Sequence, residues 1–72
     1  MKIHYNVTGK GRKSLVSAIS KELNLSANYL GMSSAAYQIG RLRIDRDGTL
    51  TGPDYRELIT DLRVLYGFMP AS

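Results

Sequence analysis

The apolar residues of this chain follow two different spacings, and the change from one to the other marks its elements. Apolar residues at every second position predict a half-buried strand over residues 2–7. Over residues 10–24 the spacing becomes three to four, which predicts an amphipathic helix between Thr8, a plausible N-terminal cap, and Asn24, a plausible left-handed stop. The apolar positions of this helix are Leu15, Val16, Ile19 and Leu23.

The middle of the chain predicts a meander of short strands after a strand at residues 26–30 and a loop at 31–34. A two-residue turn at Gly40-Arg41 pairs Ile39 with Leu42 and Tyr37 with Ile44. A three-residue turn over 46–48, with Gly48 in the left-handed region, pairs Asp45 with Thr49 and Ile44 with Leu50. Both turns place every apolar side chain on the same side of the sheet, and this agreement makes the meander the best-determined part of the chain.

A second helix is predicted after residues 51–54, where Pro53 lies in the expected first turn. Gly67 ends the helix, and residues 67–72 are expected to fray. Its apolar positions are Tyr55, Leu58, Ile59, Leu62, Leu65 and Tyr66. The predicted order is β-α-β-β-β-β-α, a single α+β domain over residues 1–72. Its small antiparallel sheet carries both helices on one face, because that arrangement buries all the apolar stripes together.

Composition limits the functions open to this domain. The chain has 72 residues, no cysteine, 43% hydrophobic residues and a formal net charge of +4. Without cysteine there is no disulfide framework and no thiolate metal site, and His4 alone predicts none. No apolar run approaches the length of about 20 residues that spans a bilayer. We therefore expect a cytoplasmic protein with no membrane contact, no metal and no cofactor.

The basic residues are unevenly distributed along the chain. Residues 1–44 contain seven Lys and Arg against one acidic residue, whereas residues 45–72 contain three against five. A glycine-rich turn at 9–14 adds free backbone N–H groups at a helix start. Basic surfaces attract anionic partners, so an anion or nucleic-acid site is a candidate function. Its candidate residues are Lys10, Arg12, Lys13, Arg41, Arg43 and Arg46.

The segment Ile44–Leu50 resembles the first motif of the haloacid dehalogenase phosphatases, in which one Asp is a nucleophile and the second a general acid beside magnesium. In this sequence the matching residues are Asp45 and Asp47. The alternating strand before them is unlike the continuously apolar central strand of such enzymes, and only 22 residues follow Leu50. A hairpin turn explains the same residues, and it also explains their weaker likeness to a calcium loop. We therefore predict no enzyme activity.

An ordered series of short motifs along nearly the whole chain resembles one protein family. The motifs are Tyr5–Gly9, Arg12-Lys13, Leu15-Val16, Tyr29–Gly31, Ala36–Gly40, Ile44-Asp45 and Asp47–Gly52. They resemble the N-terminal domain of the "virulence-related" proteins of Firmicutes prophages and conjugative elements. The resemblance implies a bacterial mobile-element setting and no particular reaction. The sequence departs from that pattern at Met32–Ala35, where relatives more often have an Ala-Pro-Thr-Phe type of loop.

Three functions follow from the sequence, in order of preference. The first is a non-catalytic module that binds a protein, as a monomer or a weak homodimer that associates through an open sheet edge. The alternative is a DNA- or RNA-binding accessory domain that uses the basic residues named above. A phosphatase-like site at Asp45 and Asp47 is a distant third.

Overall fold

A computed structural model describes residues 1–71 of the chain. Two helices and five strands follow the predicted order. They are β1 (Lys2–His4), α1 (Gly9–Leu23), β2 (Ala27–Tyr29), β3 (Tyr37–Ile39), β4 (Leu42–Ile44), β5 (Thr49–Thr51) and α2 (Arg56–Tyr66). The prediction of an α+β fold with an antiparallel sheet is confirmed.

The five strands form one antiparallel sheet in the order β1-β5-β4-β3-β2. The registers predicted for both central turns are confirmed, since Ile39 pairs with Leu42 and Ile44 pairs with Leu50. Gly48 adopts the left-handed conformation that its turn requires, with φ +82°. The N-terminal strand adds to the far side of β5, which leaves β1 and β2 as the two edges.

The core lies between the inner face of the sheet and the two helices. One row of paired residues crosses all five strands on this face: Ile3, Leu50, Ile44, Tyr37 and Tyr29. The helices complete the core with Leu15 and Ile19 of α1 and with Leu58 and Leu62 of α2. The opposite, outer face of the sheet carries a polar row: Lys2, Thr51, Arg43, Gln38 and Asn28.

The first strand is shorter than its alternating pattern predicts. It ends at His4 instead of residue 7, because Asn6 adopts a left-handed conformation with φ +52°. Asn tolerates this region better than most residues. Tyr5 nevertheless stays buried, and its N–H donates to the carbonyl of Gly48 at 3.1 Å.

The helix ends show which local signals decide a boundary. Asn24 and Gly67 end α1 and α2 in the left-handed conformation, as predicted. Thr8 occupies the N-cap position of α1 but its side chain makes no capping hydrogen bond. The second helix begins at Arg56, later than predicted from Pro53, because β5 pairing continues beyond Thr51: the N–H of Gly52 donates to the Met1 carbonyl at 3.1 Å.

The chain after α2 returns to the sheet. The ring of Phe68 meets Tyr5 edge-on, with 6.4 Å between centroids. The N–H of Ala71 donates to the carbonyl of His4 at 2.6 Å, which places the tail against the edge of β1. The sequence predicted fraying from residue 67 on, whereas Phe68 and Ala71 make these contacts; Ser72 lies outside the described residues.

Candidate binding surfaces

The Asp45–Gly48 segment is a hairpin turn between antiparallel strands. One carboxylate oxygen of Asp45 accepts the N–H of Asp47 at 2.9 Å and the N–H of Thr49 at 3.0 Å. The N–H of Gly48 donates to the Asp45 carbonyl at 3.1 Å and closes the turn. This is the hydrogen bonding by which Asp stabilises turns. One oxygen of the Asp45 carboxylate is therefore bound by its own backbone, in an antiparallel hairpin instead of the parallel crossover of a phosphatase.

Arg12 connects α1 to two loops of the sheet. Its guanidinium donates to the carbonyl of Ala35 and, at 3.3 Å, to the carbonyl of Asp45. It also lies over the ring of Tyr37, 5.0 Å from the centroid. Three contacts of this kind hold a half-buried arginine in one position. The guanidinium of Arg12 therefore has a structural role, because its contacts join α1 to two loops of the sheet.

The other five predicted basic residues lie on separate parts of the molecule. Lys10 and Lys13 are exposed on α1, which covers the inner face of the sheet. Arg43 is exposed on the outer face, and Arg41 lies in the turn between β3 and β4. Arg46 lies at the tip of the next hairpin, where it contacts the Ser33 carbonyl at 3.5 Å. The fold thus brings Arg12 and Arg46 to the same loop, at Ala35 and Ser33, and places Arg43 on the opposite face of the sheet from α1.

The outer face holds an open depression of about 470 Å³ near the β1–β5 pair. His4 and Thr49 both line it, and the imidazole Nδ1 of His4 and the hydroxyl of Thr49 are 3.1 Å apart. Its lining carries charges of both signs, from Lys2, Asp45 and Asp47. Among residues 1–71 no group of three or more His, Asp or Glu side chains is placed to hold a metal ion. The depression therefore favours neither a cation nor an anion.

The edge of β2 presents unpaired backbone groups to the outside. The N–H of Leu30 donates to the Ala36 carbonyl at 2.8 Å, which continues the pairing with β3. Backbone groups alternate in direction along an antiparallel strand, so Asn28 and Leu30 point toward β3 while Ala27 and Tyr29 point away. The open edge thus offers two N–H and two carbonyl groups. It begins after Leu25, whose N–H donates to the Ser20 carbonyl at 3.1 Å and whose carbonyl accepts the Ser20 hydroxyl.

The side chains around this edge are uncharged, and the large ones among them are exposed. Residues 23–40 contain no Lys, Arg, Asp, Glu or His, although 22% of the whole chain is charged. Tyr29 is 47% exposed, Leu30 44% and Met32 88%. Natural sheet edges are usually blunted by charged side chains or covered by other segments. We call β2 and its flanking residues, 25–32, the neutral edge.

The opposite edge of the sheet is protected by both of these devices. Lys2 places a charge on β1, and the C-terminal tail lies against it through the Ala71–His4 hydrogen bond. The β1 edge of the sheet is therefore protected against the addition of another strand, whereas the β2 edge is open to it. The sequence predicted association through an open sheet edge, but none of the candidate residues named from it lies on the neutral edge. Its detectable signal is the uncharged tract from residue 23 to residue 40.

A second exposed apolar group lies at the C-terminal end of α2. Val64 and Leu65 are each 64% exposed, and Met69 is 62% exposed. These side chains lie on the last turn of a helix and the tail that follows it, where the backbone does not present the alternating N–H and carbonyl groups of a strand. This group therefore lacks the open strand edge that residues 25–32 provide.

Comparisons with known proteins identify no relative. No family model matches the chain, and neither the search of curated proteins nor the search of solved structures finds a match. The resemblance to the "virulence-related" family therefore stays a prediction. In the described part of the chain no helix has the length and apolar character needed to cross a bilayer.

Proposed function

We propose that this protein is a non-catalytic binding module that accepts an extended segment of a protein partner along the neutral edge. The observation that carries the proposal is the combination of outward-facing backbone groups at Ala27 and Tyr29 with the uncharged tract around them. In strand addition, main-chain hydrogen bonds supply affinity and alternate side chains supply specificity. The neutral edge offers both kinds of contact.

The non-catalytic part of the proposal is supported by the chemistry of the turn at Asp45. A nucleophilic carboxylate needs a free oxygen aimed at substrate and an activating partner. One Asp45 oxygen accepts two backbone N–H groups and stabilises the hairpin, and within residues 1–71 no third His, Asp or Glu side chain joins Asp45 and Asp47 to hold an activating magnesium ion. Arg43 and the two lysines of α1 lie on opposite faces of the sheet, which gives the nucleic-acid alternative less support than the edge.

A capture experiment with matched variants tests the proposed function. The tagged protein would be incubated with an extract of the bacterium that encodes it, as wild type, Ala27→Pro and Val64→Lys. Proline at 27 removes an N–H that points away from β3, so it blocks an added strand while leaving the native ladder intact. Val64→Lys alters an exposed apolar residue outside the edge.

We expect a protein that wild type and Val64→Lys retain and that Ala27→Pro loses, with the same pattern when that protein is purified and added back. Thermal unfolding of each variant establishes that it is folded. Capture that is equal in all three, or lost only with Val64→Lys, contradicts the proposal.

A further inference from the structure

We infer that a second copy of this chain occupies the neutral edge, and that the two copies pair antiparallel about a two-fold axis at Asn28. The inference rests on the proposed function and names its partner. The first argument is electrostatic. Each copy carries a formal charge of +4, so two copies repel, and this repulsion opposes association least where the surfaces that meet carry no charge. The neutral edge belongs to the longest uncharged tract of the chain, from residue 23 to residue 40.

The second argument is the direction of the backbone groups. Because Ala27 and Tyr29 both point outward, an antiparallel copy can align Ala27 of one chain with Tyr29 of the other. Each such pair exchanges two hydrogen bonds, and the two-fold axis creates the pair twice. The result is a continuous sheet of ten strands with four intermolecular hydrogen bonds at its centre.

The third argument is the size of the paired side chains, which selects one register. With Asn28 on the axis, exposed Tyr29 lies opposite Ala27 of the other copy, and exposed Leu30 lies opposite Ser26. Each large side chain thus meets a small one. A shift toward Tyr29 places two tyrosines opposite each other, and a shift toward Ala27 places Tyr29 opposite Leu25. Cross-strand neighbours are in direct contact, so the centred register packs best.

The short length of β2 limits the strength of this dimer. Four backbone hydrogen bonds and a few apolar contacts must offset the loss of translational and rotational freedom. We therefore expect a weak, reversible dimer whose fraction rises with increasing protein concentration.

Sedimentation velocity on the purified chain tests the inference, over loading concentrations from about 10 µM to about 1 mM. We expect wild type and the control Val64→Lys to shift from monomer to dimer across this range, and Ala27→Pro to stay monomeric. Asn28→Lys and Asn28→Glu should each weaken association by about five-fold, since like charges then meet directly across the axis. An equimolar mixture of the two should associate at least as well as wild type.

The two Asn28 variants distinguish an effect of the pairing register from an effect of net charge. Lys raises the charge of each copy and Glu lowers it, yet both are expected to weaken self-association and only their mixture to restore it. A monomeric wild type, a dimer that Ala27→Pro leaves unchanged, or a mixture without recovery overturns self-pairing at this edge. In each of those cases the capture experiment still shows whether another protein uses the edge, so failure of self-pairing is distinguishable from failure of the proposed function.

Discussion

At residue 48 two independent constraints select glycine. Its φ of +82° is unfavourable for other residues, and a Cβ atom there would lie 2.6 Å from the carbonyl oxygen of Val7. We expect Gly48→Ala to lower the free energy of unfolding by at least about 2 kcal/mol, because strain and a backbone clash act together. Urea denaturation measures the loss.

Gly67→Ala is the matched control for this prediction. Gly67 has a similar φ of +76°, but no described atom lies within 4 Å of the added Cβ. Only the conformational cost remains, about 1 kcal/mol. Equal losses at the two positions would contradict a role for the Val7 contact.

Tyr5 is buried, and within residues 1–71 its hydroxyl has no hydrogen-bond partner. An unsatisfied buried hydroxyl lowers stability, whereas the ring contributes apolar contacts, including the one with Phe68. We expect Tyr5→Phe to leave the free energy of unfolding unchanged or to raise it by up to about 1 kcal/mol. A loss of more than about 1 kcal/mol in urea denaturation would mean that the hydroxyl has a stabilising partner.

The same residue predicts a dependence on alkaline pH. Burial raises the pKa of Tyr5 above its ordinary value of 10.0. A group whose pKa is higher in the folded state contributes stability that is fully present below the unfolded pKa and is lost as pH rises through the folded pKa. Unfolding measured from about pH 8 to pH 11 should therefore show wild type losing stability relative to Tyr5→Phe above about pH 10. A constant difference across this range would exclude the effect.

At the scale of elements, the sequence patterns correctly predicted the turns and helix ends that depend on local interactions. The two turns at Gly40 and Gly48 and the helix ends at Asn24 and Gly67 were predicted because each depends on a few adjacent residues. The start of α2 was predicted too early because the pairing of Gly52 with Met1 joins opposite ends of the sequence. The spacing of apolar residues does not predict the boundary of an element when that boundary depends on pairing with a distant segment.

Arg12 connects elements, and this role can be separated from anion binding. Removing its guanidinium leaves two carbonyls and the Tyr37 ring without their partner. We expect Arg12→Ala to lower the free energy of unfolding by about 1–3 kcal/mol and to speed amide hydrogen exchange in residues 31–36. Lys13→Ala, at a neighbouring exposed position, should change neither. Unchanged stability and exchange in Arg12→Ala would show that these contacts contribute little.

At the scale of the whole molecule, strand order determines which surface is open. The sequence placed Asp45 in a turn correctly, but it did not indicate that β1 joins β5 and leaves β2 at the edge. That arrangement depends on packing of the whole sheet, because β1 and β2 are each three residues long and no tight turn joins β1 to β5. The candidate site could therefore be found only once charge distribution and strand order were considered together.

The distribution of charge over the molecule also predicts how it meets nucleic acid. Lys10 and Lys13 lie on the helix layer and Arg43 lies on the outer sheet face, so a rigid duplex cannot contact them all at once. With three phosphate contacts or fewer, the logarithm of the binding constant should fall against the logarithm of salt concentration with a slope no steeper than about −3. Fluorescence anisotropy with a labelled duplex between about 50 and 200 mM salt measures this slope.

The double variant Lys10→Ala/Lys13→Ala and the single variant Arg43→Ala should each leave part of the weak binding, because they act at separate surfaces. A slope near −5 that either variant abolishes would mean that all six basic residues act on one ligand, and it would favour nucleic acid over a protein strand as the partner.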